Sequence, residues 1–435
     1  MPNLPPSRSC PALFVTATAS GQGKTTLVAA LARYHRRLGR RVRVFKTGPD
    51  FLDPMILQCA SGAEVKPLDL WMVGETDCQR ALYNAAGEAD LILIEGAMGL
   101  FDGNPSGADL AERFGIPVAA LLDARGMGQT FGALALGLAQ YRPTLEFAGV
   151  IANRVASARH AEMIQAGMPA TVRYLGGLPR MPDAAQLPSR HLGLVQAEEI
   201  ADLEQRLDAA ANGVETTALA QLPKPIEFLS PPVALPLPQL LAGLRIAVAR
   251  DAAFSFLYAD NLRTLKALGA ELQFFSPLAD HEIDADAVYL PGGYPELHLP
   301  TLAANTGMTR ALRAHVAANR PLYAECGGML YLLDYLTDQA GNGAALTGIL
   351  AGRGRLQTRL AGLGMQALDT ADGCLRGHSF HHSTLDTPVM PSSFGRRQRD
   401  DQPGEPFYRQ GAVRASYLHL YFPSAPAAAA ALFRA

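Results

Sequence analysis

The chain has 435 residues, for which two domains are expected and three are possible, and 49% of them are apolar, enough to build full cores. Its 38 basic and 40 acidic residues leave a formal charge of −2, which argues against nucleic acid or an anionic membrane as the main partner. No apolar run reaches the roughly 18–20 residues of a membrane span, and MPNLPPSRSCPA at the N-terminus lacks a signal-peptide pattern.

Five cysteines, at 10, 59, 78, 326 and 374, are odd in number and scattered, with no C-x-x-C pair. They suggest neither a disulfide frame nor a zinc site, and a cytoplasmic, soluble protein is expected. His378, His381 and His382 form the one tight histidine group.

From residue 11 to 215 short apolar runs alternate with helical patterns. Strands are expected over Ala12–Ala17, Arg41–Lys46, Asp90–Glu95, Pro117–Asp123, Phe147–Asn153 and Val172–Gly176. Runs such as LILI and VAALL suit parallel strands buried on both faces, and the helical stretches between them imply a doubly wound sheet with ligands at the carboxyl ends of its strands.

The first strand runs into TATASGQGKTT and then a helix-periodic segment, Leu27–Leu38. Strand, glycine-rich turn and Lys-Thr at a helix start are the parts of a nucleotide phosphate site. Gly21 and Gly23 let backbone N–H groups turn inward, Lys24 can neutralise a terminal phosphate, and the Thr25 hydroxyl can ligate Mg²⁺. Ser20 and Thr26 complete the expected ATP loop. Thr18 stands where G-x-x-x-x-G-K-[ST] has its first glycine.

KTGPDFLDP follows the second strand, with Lys46 at its end and Asp50 and Asp53 in the turn; EGAMGLFDG follows the third, with Glu95 at its end and Asp102 beyond. These acids beside a phosphate loop favour Mg²⁺ held by Thr25, Asp50 and Glu95, although each acid alone could be a turn or cap residue. Asp123 and Arg125 end the next strand and Asn153-Arg154 the one after. Asn153 is either an adenine reader or a structural loop residue.

The stretch 216–243, dense in proline from Pro223 to Pro238, reads as a semi-rigid linker between domains at 8–215 and 244–435. Beyond it a second α/β pattern has strands at Leu244–Asp251, Leu272–Phe275, Ala287–Leu290 and Pro321–Ala324, and helices at 258–268, 308–318 and 329–336.

Cys326 falls between a strand and a helix, on a sharp turn at a helix N-terminus whose dipole is expected to lower the thiol pKa. Backbone N–H groups of Gly327 and of the Gly292-Gly293 loop can form an oxyanion hole. The thiolate needs a histidine, either from the 378–382 group or His419; a buried, inert cysteine is the plain alternative. The histidine group lacks cysteines at zinc-site spacing.

From about residue 12 to about 424 the chain resembles the cobyrinic and hydrogenobyrinic acid a,c-diamide synthases. The resemblance rests on ASGQGKTT, KTGPDFLDP, EGAMGLFDG, RHLGLVQA, AFSFLYADNL, LPGGYPELH, YAECGGMLYL, GHSFHHS and SYLHLYF, in that order. It implies an α/β fold of two doubly wound domains: a dethiobiotin-synthetase-like P-loop domain and a class I-type glutamine amidotransferase domain. It implies that Cys326 and His419 hydrolyse glutamine, and that the first domain transfers the γ-phosphoryl group of ATP to a corrinoid carboxylate, with Lys24, Lys46 and Mg²⁺ offsetting charge. Ammonia then attacks the acyl phosphate. The reading allows a homodimer.

The usual class I triad has a Glu two residues after its His, where this chain has Tyr421; Glu325, beside Cys326, is expected to point away across the turn. Two rivals remain at this stage: an amidase of a related tetrapyrrole, cobyric acid or nickel sirohydrochlorin, and an ATP-switched ParA/MinD-like protein. The latter class carries a signature lysine where this chain has Ala19.

Overall fold

The computed structural model describes residues 6–180, 186–190 and 193–434. His191 and Leu192 of the RHLGLVQA motif lie outside them. Two compact α/β units divide between Val233 and Ala234.

The first unit is built from β1 (Ser7–Ala17), α1 (Lys24–Arg37), β2 (Val42–Thr47), α2 (Leu52–Ser61), β3 (Lys66–Leu68), α3 (Glu75–Glu88), β4 (Leu91–Glu95), α4 (Gly107–Arg113), β5 (Val118–Asp123), α5 (Thr130–Tyr141), β6 (Phe147–Val155), α6 (Ala158–Ala166), β7 (Tyr174–Pro179), the short pair β8 (Ser189–Arg190) and β9 (Gly193–Leu194), α7 (Leu203–Asn212) and β10 (Pro225–Leu229). Its main sheet runs β3-β2-β4-β1-β5-β6-β7, all parallel. Alternate residues feed two cores. Ala119 and Leu121 of β5 pack with Leu27, Val28 and Leu31 of α1, whereas Ala120 and Leu122 pack with Phe131 of α5 and Ile164 of α6. That is the period-2 signature of a strand buried on both faces, each fully buried Leu or Ile contributing about 1.5–3 kcal/mol.

The proline-rich stretch differs from the expected linker. Residues 225–229 form β10, which pairs antiparallel with Ser7–Pro11 at the start of β1, so this part of the chain belongs to the first unit. Proline is tolerated there because β10 is added at an edge, where an N–H can be missing without breaking a central ladder.

The second unit contains β11 (Arg245–Ala249), α8 (Ala259–Ala267), β12 (Glu271–Phe275), β13 (Ala287–Leu290), α9 (Leu299–Ala304), α10 (Thr306–Ala317), β14 (Leu322–Glu325), α11 (Gly327–Tyr331), β15 (Leu333–Thr337), β16 (Gly343–Ala345), β17 (Leu350–Leu356), β18 (Gly362–Thr370), β19 (Gly373–His381), β20 (Ser383–Asp386), β21 (Ser393–Arg397), β22 (Pro403–Gln410), β23 (Val413–Ser416), β24 (His419–Tyr421) and α12 (Pro426–Ala431). A mixed sheet runs β12-β11-β13-β14-β23-β22-β21-β18-β19-β24, parallel from β12 to β23. A smaller sheet has the order β16-β15-β17-β20.

The helix expected over 329–336 stops at Tyr331, and Leu333–Thr337 is a strand beside β17. A short apolar run such as MLYLLDYL fits either period, and the pairing partner decides.

Candidate active sites

In the first unit, the loop after β1 turns through Gly21 (φ 73°) and Gly23 (φ 97°), left-handed conformations that favour glycine. Gly23 caps α1, so the first turn of a fourteen-residue helix faces the loop. Thr18 and Ser20 are exposed on this loop and Thr26 is partly buried in the helix. Lys24 Nζ donates to the carbonyls of Ala19 (2.9 Å) and Met98 (2.6 Å). Burial, then repulsion from Lys46, lowers the Lys24 pKa to about 8.

Strand register brings the charged ends together. β4 lies between β2 and β1, and Glu95 is opposite both Lys46 and Val15. Glu95 Oε1 accepts from Thr25 Oγ1 (2.8 Å) and Lys46 Nζ (3.2 Å). Glu95 is 1% exposed, and its Oε2 is buried without a hydrogen-bond partner. Burial raises its pKa, against the pull of Lys46. A desolvated carboxylate oxygen of this kind favours a cation.

Lys46 Nζ also lies 3.1 Å from Asp53 Oδ2 and 3.9 Å from Asp50 Oδ2. Burial would lower the lysine pKa, but Glu95, Asp53 and Asp50 hold it above its usual range. Asp50 Oδ1 accepts from the N–H groups of Leu52 and Asp53 at the start of α2. Asp53 is therefore the closer of the two acids to the Thr25–Lys46–Glu95 cluster. Against the burial that would raise it, the Asp53 pKa is lowered by Lys46.

Three other residues singled out in the sequence hold the surrounding loops. Asp102 Oδ2 accepts from Gly99 N. Asp123 pairs with Arg154 (2.5 Å) and Arg125 (2.8 Å). Asn153 Nδ2 donates to Gln22 O (2.8 Å) and its Oδ1 accepts from Arg154 N, so this amide braces the phosphate loop.

In the second unit, Cys326 sits between β14 and α11 at φ 43°, ψ −107°, a strained elbow that only a tightly determined turn retains. Its N–H donates to Ser416 O (2.7 Å) on the neighbouring strand. β13 and β14 are adjacent, so the loops leaving them touch: a Cβ on Gly327 would meet Gly293 O at 2.7 Å and Gly293 N at 2.9 Å. A Cβ on Gly292 would lie 2.2 Å from His419 Cε1, so the imidazole rests directly on that glycine. Gly292, Gly293, Gly327, Cys326 and His419 thus belong to one buried cluster.

The thiol departs from expectation. Burial, then the charge of Glu296, pushes the Cys326 pKa up, and α11 is a single turn of five residues, too short a dipole to offset this. Burial, then His378 and His381, holds His419 well below the usual imidazole range. The resting pair is neutral thiol and neutral imidazole, so the thiolate forms only as the proton moves to His419.

The histidine group does not gather round one point. His378 lies opposite His419 across β19 and β24 and stacks on it (5.0 Å between centroids, 19°). Burial lowers the His378 pKa to about 3. His381 stacks on Tyr417 and meets Glu405 Oε1 at 3.1 Å, while His382 stands edge-on to Phe380.

Glu325, expected to point away from Cys326, lies near His419. It is 2% exposed and turns toward His419, its Oε2 3.9 Å from Nδ1. No spacing rule signals this, because the contact depends on β24 folding back beside the end of β14.

Among the described residues no helix is long and apolar enough to cross a membrane. Residues 13–195 match the family model described as the CobQ/CobB/MinD/ParA nucleotide binding domain, and residues 245–427 the CobB/CobQ-like glutamine amidotransferase domain. The chain is 58% identical over 429 residues to the hydrogenobyrinate a,c-diamide synthase of Stutzerimonas stutzeri, covering 98% of this chain and 99% of the relative. It is 59% identical to the Pseudomonas aeruginosa protein of the same name (97% of each chain) and 53% identical to the cobyrinate a,c-diamide synthase of Herminiimonas arsenicoxydans (98% of each).

Proposed function

The chain belongs to the family of hydrogenobyrinate and cobyrinate a,c-diamide synthases, and from that premise we propose that it converts the a and c carboxylates of such a corrinoid to amides, using ATP and glutamine in the cytoplasm. The observation that carries the two-site reading is the Cys326 elbow with His419 on Gly292, in a chain whose other unit holds the Lys24–Thr25–Glu95 cluster.

In the second unit the thiol proton passes to His419 as Cys326 sulfur bonds to the side-chain carbonyl carbon of glutamine. The oxyanion faces the N–H groups of Gly327 and the Gly292-Gly293 loop. His419 returns the proton to the leaving nitrogen, ammonia departs, and a glutamyl thioester remains. Water then attacks, losing a proton to His419, and glutamate leaves as the thiol is restored.

In the first unit the loop of Ser20, Gly21, Gly23 and Thr26 offers its backbone to the ATP phosphates, and Lys24 and Lys46 offset negative charge as the γ-phosphoryl group moves to the substrate carboxylate. Mg²⁺ fits beside the Thr25 hydroxyl and the orphaned Glu95 Oε2, with Asp53, and Asp50 farther out, on the same side. When bound there, Mg²⁺ would draw off negative charge that develops during phosphoryl transfer. Phosphorylation makes the carboxylate oxygen a leaving group, which ammonia displaces to give the amide.

Incubation with ATP, Mg²⁺ and glutamine, supplying cobyrinic or hydrogenobyrinic acid separately, tests the proposal by mass spectrometry of the product. A diamide at a and c is expected; amidation of other side chains, or none with either corrinoid, would overturn it.

A further inference from the structure

We infer that Glu325, immediately before the nucleophile, is the carboxylate that positions His419 in the glutaminase site. The inference rests on the Cys326–His419 reading above.

The carboxylate is fixed from three sides. Oε1 accepts from Leu420 N (3.0 Å) and Tyr323 Oη (2.8 Å), and Oε2 accepts from Tyr289 Oη (2.9 Å). All three donors are neutral. Oε2 lies 3.9 Å from His419 Nδ1, long for a direct hydrogen bond but close enough to favour an imidazolium in this buried setting. Such contacts often tighten only in the reacting complex.

The ring itself has little freedom. Gly292 lies against one side and His378 stacks at 5.0 Å. Nδ1 is the ring nitrogen paired with Glu325 Oε2 at 3.9 Å, which assigns Nε2 to the proton exchange with the Cys326 thiol.

Tyr421 occupies the place where a class I triad has its acid, and it is turned elsewhere. Its hydroxyl meets Asp260 Oδ2 at 3.4 Å and its ring stands edge-on to Tyr258. Glu325 reaches His419 although β14 and β24 are not paired in the sheet, because the end of β14 comes close to β24, as the bond from Leu420 N to Oε1 records.

Burial, opposed by Leu420 N, Tyr323 and Tyr289, raises the Glu325 pKa to about 7. Such a carboxylate gains most when a positive charge appears next to it. When the thiol proton reaches Nε2, His419 becomes an imidazolium and Glu325 stabilises it without taking its Nδ1 proton; when the Nε2 proton passes to the leaving nitrogen, the charge is gone.

The test compares parent, Glu325→Gln, Glu325→Asp and Cys326→Ser. For Glu325→Gln, which keeps the shape, glutaminase kcat should fall about 100-fold, with KM for glutamine within about twofold. Iodoacetamide alkylation of Cys326 at pH 7 should slow in parallel, and Glu325→Asp should recover part of both. Tyr289→Phe, which leaves the carboxylate in place but frees Oε2, should lower kcat about fivefold and serves if Glu325→Gln does not fold. Parent-like kcat and alkylation in the variants that fold, or a loss that falls on KM alone, would overturn the role of Glu325. Cys326→Ser separates that failure from failure of the underlying reading, since continued glutamine use by this variant would remove Cys326 itself.

Discussion

The Thr25 hydroxyl donates to Oε1 of Glu95 over 2.8 Å, tying the first turn of the phosphate-loop helix to the end of a strand two along from Lys46 in sequence order. The other carboxylate oxygen is buried without a hydrogen-bond partner. Glu95→Gln keeps the shape but removes the charge. The variant should need at least about tenfold more Mg²⁺ for half-maximal amide synthesis, while stability falls by about 2 kcal/mol or less, since Lys46 keeps Asp53 at 3.1 Å. A Mg²⁺ titration that superimposes on the parent's would remove Glu95 from the metal site.

His35 supplies a pH test in the first unit. It is 1% exposed, with Nε2 3.2 Å from Leu219 O, and burial, reinforced by Arg40, lowers its pKa to about 4. In the unfolded chain it titrates near 6.5. Between these values the unfolded state binds the extra proton, so stability falls as pH drops, by up to about 1.4 kcal/mol per unit. Above pH about 6.5 both states are neutral and the effect vanishes. His35→Gln can still donate to Leu219 O but cannot titrate. Trp71, the sole tryptophan, lies in the same unit, so its emission can follow urea unfolding there. The parent should lose more stability than His35→Gln from pH 7 to 5; equal losses would contradict the assignment.

Where strands are continuous apolar runs between turn signals, the sequence suffices. Ala287–Leu290 has the expected bounds, and the strands ending in Lys46, Glu95 and Asp123 lie within one residue of expectation. Their ends carry the phosphate-site residues because parallel strands present their carboxyl ends together. Other features depend on partners distant in sequence. Residues 333–337 become a strand by pairing with 350–356, and Glu325 faces His419 because the chain returns after β23. Asn153 braces the loop through Gln22, 131 positions away. The thiol pKa is raised where the sequence points to a lowered one, because a helix start is visible in sequence, whereas burial of the cysteine is not.

Gly292 gives a steric prediction. Its φ lies outside the left-handed region, so alanine is conformationally permitted, but the added Cβ would sit 2.2 Å from His419 Cε1. His378 stacks on the same imidazole, so the ring cannot yield without leaving its place. Gly292→Ala should lower glutamine-dependent kcat about 100-fold. Ammonia-dependent synthesis, which bypasses this site, should stay near the parent's. Parent-like glutamine use would show that the ring position does not govern the reaction.

Cys326 separates the half-reactions most sharply. Cys326→Ser should lose glutamine-dependent synthesis, because a hydroxyl gives up its proton far less readily than a thiol, and the neutral, buried His419 is a weak base for it. The phosphoryl-transfer residues lie in the first compact unit and Cys326 in the second. Ammonium chloride at high concentration and mildly alkaline pH, where more of it is free ammonia, should therefore restore amide formation. His419→Ala should behave alike, since it removes the proton acceptor of the same step. His381 stacks on Tyr417 and bonds to Glu405, so His381→Ala should keep more glutaminase activity than His419→Ala. Amide formed per ATP hydrolysed, with each nitrogen source, checks all three variants. A Cys326→Ser protein that still uses glutamine well would displace Cys326 as nucleophile, and a folded one that also fails with ammonia would mean that the residue serves the synthetase reaction as well.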